Sequence, residues 1–242
     1  MAEVLITLTI IGVIAALTIP NLSRKWSDHA DVQKVKQAYS ILSNAYRLCI
    51  AENGTMENWD WGVALPAWAG NNYKNKLFEC MRPYLKVQKY CGSGSGCWNS
   101  NVKSYKDLSG KYNTNIYSSL WGMSTISSAY GKMKLQNGMY ISDGTRPLYV
   151  DKNGNAYDGD NGAIRVDING EKGPNRYGYD VFFFNISRDG IIPIRRPSNS
   201  NSVRAARCIT TDVSWLSGVT CAEWVIKHGN MDYKYRNVSA EW

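Results

Sequence analysis

The sequence predicts an α+β protein, a long N-terminal helix laid on an antiparallel β-sheet with a cysteine-braced head. Three observations carry that expectation. The chain opens with "VLITLTIIGVIAALTIPNLS", 20 residues without a charge from Val4 to Ser23. It continues into a segment whose apolar residues recur at three- and four-residue spacing. From about residue 137 it breaks into short runs of β-branched and aromatic residues bounded by Gly, Asn and Asp.

A chain of 242 residues holds one domain of ordinary size plus an appended element. With 44% hydrophobic and only 20% charged residues the composition is that of a folded chain, which excludes a disordered polymer. The net charge of +8 permits attraction to nucleic acid or anionic lipid. Its Lys and Arg are scattered rather than blocked, the pattern of a solvated basic surface.

The first element is justified by length. At 1.5 Å per residue the uncharged run spans about 30 Å as a helix, the thickness of a bilayer core. Thr7, Thr9 and Thr18 do not spoil it, because a helical Thr returns its hydroxyl to a carbonyl one turn back. A signal peptide would start basic and end at a small-residue cleavage site, whereas this run is preceded by Glu3. Arg24 and Lys25 follow it, too few to orient a single span.

The helix is expected to continue. In "LSRKWSDHADVQKVKQAYSILSNAYRLCIAENGT" the residues Val32, Val35, Ala38, Tyr39, Leu42, Ala45, Tyr46, Cys49 and Ile50 fall on one stripe. Asn53-Gly54 supplies a stop, since Gly takes the left-handed conformation that closes a helix. Pro20 removes one backbone hydrogen bond and predicts a kink or local melting rather than an end. Residues 1–25 are thus read as a membrane-spanning half and 26–54 as the amphipathic half of one helix.

"AEVLITLTIIGVIAALTIPNL" resembles the N-terminal segment of type IV pilins and type II secretion pseudopilins, the prepilin-type cleavage and methylation proteins. Glu3 matches that family's nearly fixed Glu, Ala2 the residue before it and Pro20 its helix-breaking Pro. The match covers about a tenth of the chain directly. The family's leader, its terminal Gly and the first two mature residues do not stand ahead of Ala2, and Met1 occupies a place where the family often has Leu. The expectation is a true start upstream, with prepilin peptidase as a partner. The resemblance implies a pilin-like fold and assembly with other pilin or pseudopilin subunits by inner-membrane machinery. It also implies a role for Glu3: a carboxylate at the hydrocarbon edge is costly alone, and in the family its partner is the N-terminal amine of a neighbouring subunit, which sets register.

Residues 55–136 are read as a variable connection, with short helices at "NKLFECMRPYLKV" and "SSLWGMSTIS". The loop "YCGSGSGCW" lacks the Gly-Lys-Ser/Thr ending of a phosphate-binding loop. Cys49, Cys80, Cys91, Cys97, Cys208 and Cys221 form an even set, which in an exported head suggests up to three disulfides among 15 formal pairings. Zinc is disfavoured because no Cys-x2-Cys pair exists and His29 and His228 lie far from the cysteine cluster. The resemblance implies Cys208 with Cys221, as in the cysteine-closed C-terminal loop of many pilins. Cys91 is then expected to pair with Cys97 or Cys80.

Residues 137–242 are read as the sheet and a disulfide-containing C-terminal region. The strand candidates are "NGMYISDG", "RPLYVD", "GAIRVDING", "YDVFFFNIS" and "GIIPIRR". Ile164, Val166 and Ile168 alternate with Arg165 and Asp167, as in a strand with one face on a core. That face is expected to pack on Tyr39, Leu42, Tyr46 and Ile50, in a sheet of four or so strands.

Within "VDINGEKGPNRYGYDVFFF", Asp167, Asn169 and Asp180 offer the hard oxygen ligands that calcium prefers, and some relatives of the resembled family bind calcium beside the sheet. The same residues sit at turn formers, Asn169-Gly170 and Gly173-Pro174-Asn175, where Asp and Asn bond the local backbone. "DKNGNAYDGDNG" begins like an EF-hand loop but has Gly162 where a bidentate Glu is needed.

With only His29 and His228, neither a serine triad nor a His-Glu-x-x-His zinc site can be assembled, so no enzyme is expected. The alternative function is a membrane-anchored, exported binding module for carbohydrate or DNA, with Trp59, Trp61, Trp68, Trp98 and Trp121 as stacking platforms. The favoured expectation is a structural filament subunit, anchored once in the bacterial inner membrane with its head exported, then packed into a periplasmic or extracellular filament. The large head points to a minor or specialised subunit.

Overall fold

A computed structural model of the chain describes residues 2–55, 76–92, 96–97, 106–111, 132–143, 163–187, 190–194, 208–210, 217–238 and 241. The first element, α1, runs unbroken from Ala2 to Asn53 with Pro20 inside it. Its two halves live in different surroundings. Val4, Leu5, Ile6, Leu8, Ile10, Ile11, Val13, Ile14, Leu17, Ile19 and Leu22 are each more than half exposed, while Val32, Val35, Ala38, Leu42, Ala45, Tyr46 and Cys49 are buried. The stripe read from spacing is therefore the face that meets the head, with Tyr39 and Ile50 packed at its margin. Gly54 closes the helix at φ 76° and the Asn53 side chain donates back to the Cys49 carbonyl, so the stop occurs where the Asn-Gly pair placed it.

After α1 come α2 (Lys76–Met81), a 3₁₀ turn (Arg82–Tyr84) and β1 (Val87–Gly92). The remaining strands are β2 (Lys132–Leu135), β3 (Tyr140–Asp143), β4 (Ala163–Asp167), β5 (Val181–Ser187) and β6 (Gly190–Pro193). They form one antiparallel meander in chain order. The chain then reaches α3 (Cys221–His228), which ends on left-handed Gly229, and a second 3₁₀ turn, Asp232–Lys234.

The core lies between the sheet and the lower half of α1. Met133, Leu135, Ile141, Ile164, Val166, Phe182, Phe184, Ile186 and Ile191 supply the sheet side, and Trp224 and Val225 of α3 join it. Tyr39 of α1 stacks on Phe184 of β5 with ring centroids 6.0 Å apart. A fully buried side chain such as Leu42 contributes roughly 1.5–3 kcal/mol through removal from water.

The sheet differs from expectation in three ways. It has six strands among the described residues rather than about four, and β1 and β2 precede residue 137. β1 is an edge strand with only intermediate or exposed residues, so it carries no buried alternation to read. Its second face is also covered: Arg165 and Asp167, which alternation placed toward solvent, are 5% and 0% exposed. The chain from Asp167 to Asp180 helps to cover it, because Tyr177 packs edge-on against Phe183 at 5.0 Å. "SSLWGMSTIS", "RPLYVD" and the EF-hand-like "DKNGNAYDGDNG" lie outside the described residues, as do Trp59, Trp61, Trp68, Trp98 and Trp121.

Candidate functional site

Two features stand out, the exposed half of α1 and a carboxylate turn between β4 and β5. In the first, the Thr hydroxyls are internally satisfied as their chemistry requires. Thr7 donates to the Val4 carbonyl, Thr9 to that of Leu5 and Thr18 to that of Ile14. These three hydroxyls are thus satisfied without water, and the helix is long and apolar enough to cross a membrane. Glu3 lies in its first turn, exposed, where a carboxylate also complements the helix dipole.

The turn begins where β4 ends. Oδ1 of Asp167 accepts the backbone N–H of Asn169 (3.1 Å) and Gly170 (2.9 Å). Gly170 must be glycine: its φ is 67°, and a Cβ there would lie 2.5 Å from the Gly138 carbonyl oxygen. Asp180, at the other end, gathers three donors. Its Oδ2 accepts the N–H of Asn175 (2.7 Å) and the side-chain amide of Asn169 (3.3 Å), and its Oδ1 accepts the N–H of Arg176 (2.6 Å). Asn175 adopts φ 51°, which Asn tolerates better than other non-glycine residues. The structure thus joins Asp167, Asn169 and Asp180 in one hydrogen-bonded turn, as the turn-forming reading of these residues requires.

Hydrogen bonding does not use up the turn's acceptors. Oδ2 of Asp167, Oδ1 of Asn169 and Oδ1 of Asn175 are buried without a partner. Burial, and then the charge of Asp180, hold the Asp167 carboxyl well above the usual carboxylate range, against the pull of its two amide donors. Burial also raises Asp180, offset by the amides of Arg176 and Asn175. Two carboxyl groups, one with a partnerless oxygen, and two partnerless Asn oxygens make a place that favours a proton or a hard cation. An all-oxygen set fits calcium. Among the described residues no three His, Cys, Asp or Glu side chains come together, so any such site depends on Asn oxygens. Asn175 went unread in the sequence because Gly-Pro-Asn signals a turn, and only its burial marks it as a candidate ligand.

The turn is braced on the C-terminal segment. The Arg176 guanidinium donates to the Leu108 carbonyl and lies 4.1 Å from the centre of the Tyr179 ring. Lys234 lies 4.7 Å from the same ring centre and bonds Asp28 of α1 at 2.9 Å. Tyr233 donates to the Gly178 carbonyl at 2.6 Å.

The cysteines form three bonds: Cys49–Cys80 joins α1 to α2, Cys91–Cys97 closes a loop at the end of β1, and Cys208–Cys221 anchors the start of α3. Gly178 lies against the last of these, since a Cβ there would approach Cys221 Sγ to 2.6 Å. Comparison with protein-family models, curated proteins and solved structures finds no match.

Proposed function

We propose that the protein is a structural subunit of a helix-packed filament, a pilin or pseudopilin, stored in the membrane by the upper half of α1 and assembled through it. The observation that supports this reading most is the division of one unbroken 52-residue helix into an exposed apolar half and a half built into a folded head. A plain anchor needs no rigid continuation into the head. A subunit whose helix becomes part of a shared core does, because the helix then sets the position of the head on the filament.

Assembly on this reading is an exchange of contacts. In lipid the residues from Val4 to Leu22 touch acyl chains, which are as apolar as they are, so the gain on joining other helices comes from packing and polar pairing. Glu3 supplies the polar pair: a carboxylate at the hydrocarbon edge is relieved by a cation on a neighbouring subunit. The three disulfides suit a head exposed to an oxidising compartment. Glu3→Ala is expected to leave the head folded and its disulfides formed while removing the chain from sheared filaments. Normal incorporation of the variant would refute the assignment.

A second reading concerns the carboxylate turn. Its three partnerless oxygens support a calcium site formed by Asp167, Asn169, Asn175 and Asp180, in which the ion would neutralise the paired carboxyls. Calcium should raise the unfolding temperature of the wild-type chain and not that of Asp167→Asn. Equal response, or none in either, removes the site.

A further inference from the structure

The flank of α1 changes character where the helix enters the head. The uncharged run ends at Ser23, and Arg24, Lys25 and Trp26 follow, all exposed, Trp26 by 70%. Two residues on, Asp28 accepts hydrogen bonds from Lys234 Nζ (2.9 Å) and the Tyr235 hydroxyl (2.8 Å). That contact brings a segment more than 200 positions away in the chain to the mouth of the apolar run. Tyr235 is itself 60% exposed.

Helix geometry places these groups at one level. Trp26 and Asp28 are about 3 Å apart along the axis and face nearly opposite sides, since each residue turns the helix by about 100°. Arg24 lies one turn before Asp28 on the Tyr235 side, where its charge reaches the phenol. One aromatic therefore stands on each side of the helix, with Arg24 and Lys25 just above. The nearby acids have partners of their own: Asp28 with Lys234, Asp31 with Lys34, and Asp232 and Glu241 with Arg236. Arg24 and Lys25 take no carboxylate among the described residues.

We propose that Arg24, Lys25, Trp26 and Tyr235 form a collar that seats the head on the phospholipid headgroup layer, the two cations on lipid phosphates beside the apolar run and the two rings among the headgroups just outside them. This rests on the reading that α1 crosses a bilayer. The chemistry fits one occupant: amphipathic rings and basic side chains are the groups that settle where hydrocarbon gives way to phosphate. The surface continues directly from the apolar run, so the same bilayer reaches both. The Lys234–Asp28 pair, with side chains 4% and 19% exposed, fixes the C-terminal half of the collar to the helix and hence the height of the head above the membrane. The Tyr235 hydroxyl donates to Asp28, which holds the ring beside the helix at this level.

The test uses the full chain at high dilution in phosphatidylethanolamine–phosphatidylglycerol vesicles, with lipids brominated either near the headgroup end or near the methyl end of the acyl chain. Subtracting the emission of Trp26→Phe isolates Trp26 from the other tryptophans. The expected result is a Trp26 component largely lost to the shallow bromine and less affected by the deep one. Arg24→Gln with Lys25→Gln should shift that balance toward the deep bromine as the helix slides inward, and Tyr235→Ser should broaden it. A Trp26 component untouched by either lipid, in chains that still float with the vesicles, overturns the collar while leaving the span intact. Failure to float overturns both. Quenching that vanishes as protein is concentrated shows a neighbouring helix displacing lipid and leaves the dilute-state collar standing.

Discussion

Removing the Cys49–Cys80 bond tests whether the lower half of α1 is held to the head by a covalent brace or by packing alone. The bond closes a loop of sequence separation 31 and joins the end of the buried stripe to α2. Chain-entropy reasoning assigns such a loop about 3.7 kcal/mol of destabilisation of the unfolded chain. The same reasoning gives about 2.9 kcal/mol for the Cys208–Cys221 loop, separation 13, and about 2.2 kcal/mol for Cys91–Cys97, separation 6. Replacing each pair by Ala should therefore rank the three losses in that order. The perturbation is clean at Cys49, which is fully buried, because Ala leaves no buried hydroxyl to satisfy. The assay is urea unfolding of the full chain in mild detergent, read by tryptophan fluorescence without reductant. Loss of less than about 1 kcal/mol for the Cys49/Cys80 pair, or a larger loss for Cys91/Cys97, would contradict the account. Packing rather than the brace would then fix the helix.

Other outcomes follow from single contacts. Leu42→Ala removes a fully buried side chain from the helix–sheet interface and should cost about 2–5 kcal/mol in the same unfolding experiment, whereas Leu48→Ala, at a half-exposed position, should fall within about 0.5 kcal/mol. Gly170→Ala places a Cβ against the Gly138 carbonyl at a left-handed backbone position and should destabilise by more than about 1 kcal/mol. Lys234→Met leaves Asp28 without its cation but keeps the apolar stem, so hydrogen exchange near Asp28 and Tyr235 should rise while the sheet amides stay protected. Uniform exchange across the head would show that the pair does not act locally.

Much of the fold was legible because its strongest elements are locally periodic. The stripe from Val32 to Cys49 and the alternation of Ile164 and Val166 are both core positions. What escaped local pattern did so for physical reasons. β1 has no buried side to reveal itself, and its Gly and Cys residues read as a loop. α3 carries Cys221, Ala222, Trp224 and Val225 at helical spacing, but eight residues in a segment read for its cysteines gave the period little room. Within the candidate site, Asp167, Asn169 and Asp180 could be named from residue type and turn chemistry, whereas Asn175 could not, because its burial depends on the whole turn. The clasp of Lys234 and Tyr235 on Asp28 joins positions that no local period connects.

The central proposal is that the exposed half of α1 packs against the same half of other copies. The most direct measurement is photocrosslinking from Ile11, which is 63% exposed midway along that half, in cells that produce and assemble the chain. The expected result is a ladder of adducts at two and more chain masses, lost in Glu3→Ala although the head disulfides still form. Adducts confined to lipid, with no species above one chain mass, would contradict the filament reading and leave the helix as an anchor alone.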